Sequence, residues 1–235
     1  MTEFHKHPNG GGLVESTASV ADTAFIGINA RVYGNARVSG DAIVSGYAQI
    51  FGDTRVYGDA KVCDHARVYG NAKVCDNAIV YGHAHVYDNA VVSGYAVVSG
   101  YAQVSDDAQV FGHSSVSGNA LVFGHSRVYD DARVSGTALV SGTALVYGDA
   151  RVSGDVSVYG DAKVSKPFPQ IKRSDGYDFI IVPELSGNDR IIAGCRYFTV
   201  PEAIEHWTET RGGTKLGDET MLIIETLQRM KEIYG

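Results

Sequence analysis

From Val14 to Val164 an aliphatic residue stands at every sixth position without a break: 26 positions, all Val except Ile26 and Ile50. Four residues after each comes a small side chain. Of the 25 such positions from 18 to 162, all are Ala except Thr54, Ser114, Ser126 and Val156. Two residues after each aliphatic position most repeats carry Gly or Asp, followed by Asn, Asp, His, Tyr or Thr. A typical unit reads Val32-Tyr33-Gly34-Asn35-Ala36-Arg37. Ala and the next Val are two apart, so they face the same side of a short strand while the residue between them points outward. Gly or Asp followed by Asn or Asp is turn chemistry, because these residues reach positive φ at little cost. Each unit therefore predicts a short strand and a corner. A helix would need apolar spacings of three and four, which a strict six does not supply. Parallel stacking of such strands about 4.8 Å apart builds a solenoid whose ladder hydrogen bonds run along its axis.

The run of units resembles the hexapeptide-repeat superfamily of left-handed β-helices, in which three units close one triangular coil. The resemblance covers residues 14 to about 168. It implies a mainly β fold, a left-handed parallel β-helix of about nine triangular coils, roughly 40 Å long at about 4.8 Å per coil. The left hand and the three units per coil come from the resemblance; the six-residue period alone sets neither.

Outside the repeat the pattern changes. Residues 1–13 carry His5, His7 and Gly10-Gly11-Gly12. A glycine triplet can cradle phosphate, but no strand precedes it and no helix follows, so a flexible leader or an N-terminal cap is expected. The repeat stops at Lys166-Pro167-Phe168-Pro169, where Pro cannot donate to the ladder and Phe168 takes the place of Ala, as in a plug and boundary. Residues 169–235 then read as a small α+β domain, expected to dock on the solenoid or on a partner. Segments 177–183 and 190–200 read as strands. Thr199 and Glu202 form a capping box for a helix to about Thr210. A second helix is expected after Asp218, with Met221, Ile224 and Leu227 on one face. The leader His7-Pro8-Asn9-Gly10-Gly11-Gly12, with Gly194-Cys195-Arg196-Tyr197-Phe198 through His206-Trp207, is similar to phage and prophage hexapeptide-repeat proteins. That likeness implies a viral origin and brings no defined activity.

With three units per coil, residues 18 apart lie above one another. One face then displays Arg31 and Tyr33, Gln49 and Phe51, Arg67 and Tyr69, and His85 and Tyr87, an aromatic beside a polar or cationic group in four successive coils. Such a ladder offers a place for flat bases, sugars or nucleotides; stacked aromatics also stabilise a sheet by themselves. A second face presents Phe25, Ile43, Ile79 and Val97, interrupted by Lys61, and apolar outward positions suggest subunit contact. The superfamily resemblance implies trimers of side-by-side prisms. The corner between these faces stacks Asn29, Tyr47, His65, His83, Tyr101 and Asn119, with His85 close by. Imidazoles at this density can bind metal or act as a general base, and corner positions also accept any polar residue.

Composition narrows the function classes. A formal charge of −7 excludes a general DNA binder, which needs local cation density. No apolar run is long enough to span a membrane. Cys63, Cys75 and Cys195 are odd in number and lack CxxC spacing, as expected for reduced thiols in a bacterial host's cytoplasm. The leading expectation is a non-catalytic phage or prophage binding protein without cofactor or metal. Its rigid trimeric faces would engage a partner protein or a nucleotide-like ligand, a host-defence protein or its nucleotide messenger being a natural target. The ligand set would be Arg67, Tyr69, His85, Tyr87, Tyr47, Tyr101, Gln49 and Phe51. The first alternative, implied by the superfamily, is a coenzyme-A-dependent acyltransferase with His83 or His65 as base in an inter-subunit site. Enzymes of the superfamily commonly interrupt their coils with a protruding loop, and these 26 units have none. The second alternative is a structural virion or fibre component.

Overall fold

The computed structural model describes residues 3–183, 189–194 and 196–234. Within it, 26 short parallel strands separated by turns form three walls. The first wall holds nine, from Leu13–Glu15 to Ser157–Val158; the second holds eight, from Phe25–Ile26 to Arg151–Val152. The third again holds nine, from Ser19–Val20 to Lys163–Val164. Pairing always joins residues 18 apart, so Arg67 lies between Gln49 and His85. Three units therefore close a coil, and the solenoid runs between eight and nine coils. The Val and Ala columns fill its interior almost completely shielded from solvent.

The turns explain the glycine content. All 22 turn positions from 34 to 160 have positive φ: 17 are Gly at 59–79°, and five are Asp64, Asp76, Asp88, Asp106 and Asp130 at 54–60°. An L-residue in this region costs about 1–2 kcal/mol. Asp offsets part of that cost, because the carboxylates of Asp64, Asp76 and Asp106 accept the amides of Gly82, Gly94 and Gly124 in the next coil at 3.0–3.1 Å. The interior polar exceptions are satisfied locally. Thr54, Ser114 and Ser126 donate their hydroxyls to the carbonyls of Phe51, Phe111 and Phe123 at 2.7–2.8 Å.

Both ends are covered. The leader is an ordered cap: strand Phe4–Lys6 pairs antiparallel with Leu13–Glu15, and Gly12 donates to Ile26 O at 2.8 Å while Ile26 donates to Asn9 O at 2.9 Å. A Cβ on Gly12 would meet Ile26 Cγ2 at 2.4 Å, so the triplet serves close approach of chain to coil. The Gly11 and Gly12 amides are bonded to the carbonyls of His7 and Ile26, leaving neither free for a phosphate.

At the other end an antiparallel sheet of Gln170–Lys172, Asp178–Pro183, Asp189–Ala193 and Arg196–Thr199 lies across the last coil. Side chains alternate across it. Ile180, Val182 and Ile192 join the solenoid core, with half-buried Phe168 packed against it. Phe179, Ile181, Ile191 and Ala193 face two helices, α1 (Val200–Arg211) and α2 (Lys215–Tyr234), and pack with Ala203, Trp207, Ile224 and Leu227. The Thr199–Glu202 capping box is present. Two expectations change. The segment 190–200 is two strands with Gly194 (φ 59°) at the bend between them, where a Cβ would strike the Tyr177 hydroxyl. Helix α2 starts at Lys215 rather than after Asp218, because Thr214 Oγ1 accepts the Gly217 amide at 3.1 Å and nucleates the turn earlier. Cys195 lies outside the described residues; Cys63 and Cys75 are free thiols.

Candidate functional site

The corner leading into the first wall carries the densest chemistry. The amides of Tyr47, His65, His83 and Tyr101 each donate to a turn carbonyl of the next coil, at 2.6, 2.8, 2.7 and 2.7 Å. This ladder holds the four side chains at the coil repeat, and their rings form one column. Centroids lie 5.1 Å apart for Tyr47 and His65, 4.9 Å for His65 and His83, and 4.8 Å for His83 and Tyr101, with interplanar angles of 2–4°. Beside the column Gln49, Arg67 and His85 project from the adjoining strands. Together these seven residues line a shallow groove of about 560 Å³. All seven were among the sequence-derived candidates, because the 18-residue period places them together.

The other candidates of the first wall form a separate column across the strands. Tyr33, Phe51, Tyr69 and Tyr87 stack at 4.8, 4.9 and 5.0 Å. Tyr33 and Tyr87 donate their hydroxyls to Gln49 and Gln103 Oε1 at 3.2 and 3.3 Å. Burial raises the phenol pKa of Tyr69 and of Tyr33, so both stay protonated at neutral pH. His85 meets the edge of Tyr69 at 6.1 Å. Its pKa is lowered by burial first and then by the fields of Arg67 and His83, so it enters the groove as a neutral imidazole that can both donate and accept.

This geometry constrains the chemistry. Parallel rings under about 5 Å apart present their faces to each other, and inserting a flat ligand between two of them would need about 7 Å, two van der Waals contacts of about 3.5 Å. Ring edges are what a ligand meets. The stack also limits what these imidazoles can do with a metal. A ring nitrogen's lone pair lies in its ring plane, so the parallel His65 and His83 cannot both aim at one ion about 2 Å away. Among the described residues no group of three His, Cys, Asp or Glu is placed to hold a metal. As candidate bases, His65 and His83 are exposed, and among the described residues neither ring has a hydrogen-bond partner to orient it.

On the second wall Phe25, Ile43, Lys61, Ile79 and Val97 stand in one register column. Phe25 is 37% exposed and the aliphatic members are half-buried. Sequence reasoning missed further concavities, two of which have strongly polar or charged linings. One, of about 460 Å³, flanks the opposite corner, where Asn71 donates to Asn89, Asn89 donates to Asp107 and His125 lies 3.5 Å from Asp107. That ladder satisfies itself. The other lies in the C-terminal domain, among residues 173–211, which no period brings together.

Among the described residues no helix is long and apolar enough to cross a membrane. No curated protein matches the chain. Residues 30–46, 84–100 and 144–160 match the family described as the YdcK Beta solenoid repeat. Their starts are 54 and 60 residues apart, both whole multiples of six. The matched segments, together with the uninterrupted parallel coils, make this chain a repeat β-solenoid protein.

Proposed function

We propose that the chain is a non-catalytic binding protein whose solenoid holds a nucleotide-like ligand in the Tyr47–Tyr101 groove. The observation that carries this reading is the groove itself, where Arg67, three imidazoles, Gln49 and two phenols converge on one concavity of about 560 Å³. That volume is of small-ligand size. The guanidinium suits a phosphate, the imidazole and amide edges supply hydrogen bonds, and the exposed rings of Tyr47 and Tyr101 supply aromatic contact for a base. A rigid solenoid loses little conformational entropy on binding. In calorimetric titrations with a panel of nucleoside phosphates, Arg67→Ala combined with His83→Ala is expected to weaken binding at least about tenfold, the loss of one charge-assisted contact. Equal affinity of the variant and the unaltered chain would remove the groove from consideration.

The second-wall apolar column supports a trimer of prisms as the working form. Ile79→Glu places a carboxylate in the middle of that column and is expected to yield monomers in sedimentation velocity. A variant that sediments like the parent would place the contact elsewhere. The likeness of leader and tail to phage proteins supports a viral origin in the cytoplasm of a bacterial host, with a host-defence nucleotide messenger as the cellular ligand.

A further inference from the structure

The C-terminal domain contains a pocket of about 450 Å³ lined by Arg173, Asp175, Tyr177, Arg196, His206, Trp207, Thr210 and Arg211. Its charge is unusual for a chain of net −7, since three guanidiniums and one carboxylate leave a formal +2 at this spot. The three arginines are not equivalent. The Arg173 side chain is 2% exposed and fully engaged: it binds both oxygens of Asp175 at 2.9 and 2.8 Å and donates to Thr220 Oγ1 at 2.9 Å. It also lies over the rings of Tyr177 and Phe179 at 5.2 and 5.3 Å. This bidentate pair holds the Asp175 carboxyl below the usual carboxylate range, chiefly through Arg173, with Arg211 adding to the effect. Asp175 is thereby committed to Arg173. Arg196 and Arg211 are exposed, and among the described residues neither has an ion-pair partner.

We infer that this pocket binds a small phosphomonoester, with Arg196 and Arg211 as the anion ligands and the buried Arg173, paired to the exposed Asp175, as their floor. Two unpaired guanidiniums match the two charges of a phosphomonoester better than the single charge of a carboxylate. The volume is that of a small-molecule site, and Tyr177 and His206 supply a half-buried polar wall for the rest of the ligand. The last turn of α1 borders the pocket, and the negative end of its helix dipole opposes an anion with roughly half a charge. Two full guanidinium charges outweigh that. The observations are separate from those behind the first-wall groove, which lies on the solenoid and shares no residue with this pocket.

Trp207 lines this pocket and is the chain's single tryptophan, so its fluorescence reports on the C-terminal domain and not on the solenoid. The full chain is titrated with inorganic phosphate and with ribose 5-phosphate at constant ionic strength, using chloride as the control. A saturable Trp207 change is expected with both phosphates and not with chloride. Arg196→Gln together with Arg211→Gln should weaken it at least about tenfold, with the circular dichroism spectrum unchanged because both side chains are exposed. Arg67→Ala should leave it as in the parent, which separates this site from the first-wall groove. The absence of a saturable change in the parent up to tens of millimolar phosphate, or equal affinity in the double variant, would overturn the assignment.

Discussion

Ile180→Asp is expected to separate the C-terminal domain from the solenoid, so that thermal unfolding splits into two transitions. Ile180 is 1% exposed and, with Val182 and Ile192, fills the interface between the antiparallel sheet and the last coil. Losing a buried Ile side chain costs about 2–5 kcal/mol, and a carboxylate with no partner there adds a desolvation cost of several kcal/mol more. The damage stays local because the coils below remain paired to one another through their own ladder. The early transition should be seen in Trp207 fluorescence, and the late one in the far-ultraviolet signal of the solenoid. One transition at the parental midpoint would mean the sheet does not depend on the coil for its stability.

Gly100→Val should destabilise the solenoid by about 3 kcal/mol, while Gly100→Asp should cost about 1 kcal/mol or less. Gly100 has φ 69°, and a Cβ there would lie 2.8 Å from Gly118 O and 2.9 Å from Gly118 N in the next coil. Val meets both the left-handed backbone penalty and a branched side chain against that turn. Asp already occupies five equivalent turns at φ 54–60°, so the coil spacing tolerates its Cβ. Its carboxylate can also accept the next coil's amide, as Asp64 does from Gly82 at 3.1 Å. Urea unfolding of the two variants side by side decides the matter. Equal losses would show that the turn selects against any side chain, and the five Asp would then need another explanation.

The first-wall groove was legible before any coordinates, and for a definite reason. In a solenoid the contacts that matter join residues one coil apart, so the six-residue period, with the three units per coil that the resemblance implies, converts into a column. Tyr47, His65, His83 and Tyr101 were placed together by arithmetic, and the backbone pairing of Arg67 with Gln49 and His85 follows the same step. Arithmetic did not convey how the rings meet. Parallel stacking at 4.8–5.1 Å closes the faces between them to a ligand and prevents His65 and His83 from chelating one ion, which leaves ring edges as the usable chemistry.

Local signals carried part of the C-terminal domain as well. The Thr199–Glu202 capping box is a backbone satisfaction rule written into four residues, and the helix begins where it says. The turn at Gly194 and the start of α2 at Lys215 were misjudged. Gly194 is set by the approach of Tyr177, which precedes the strand Asp178–Pro183, and α2 starts early because Thr214 accepts the Gly217 amide.

The sequence by itself determined the strand-and-corner unit, its Val and Ala interior and its positive-φ turns, because a six-residue period fixes which side chains face inward; with three units per coil taken from the superfamily resemblance, the residues sharing each face followed from sequence separation. Only the tertiary structure decided that the glycine leader is an ordered cap and that one sheet serves two cores. It alone brought Arg173, Arg196 and Arg211 around Trp207. Those contacts join segments at irregular separations, held by packing and charge pairing, so they exist only once the chain has folded.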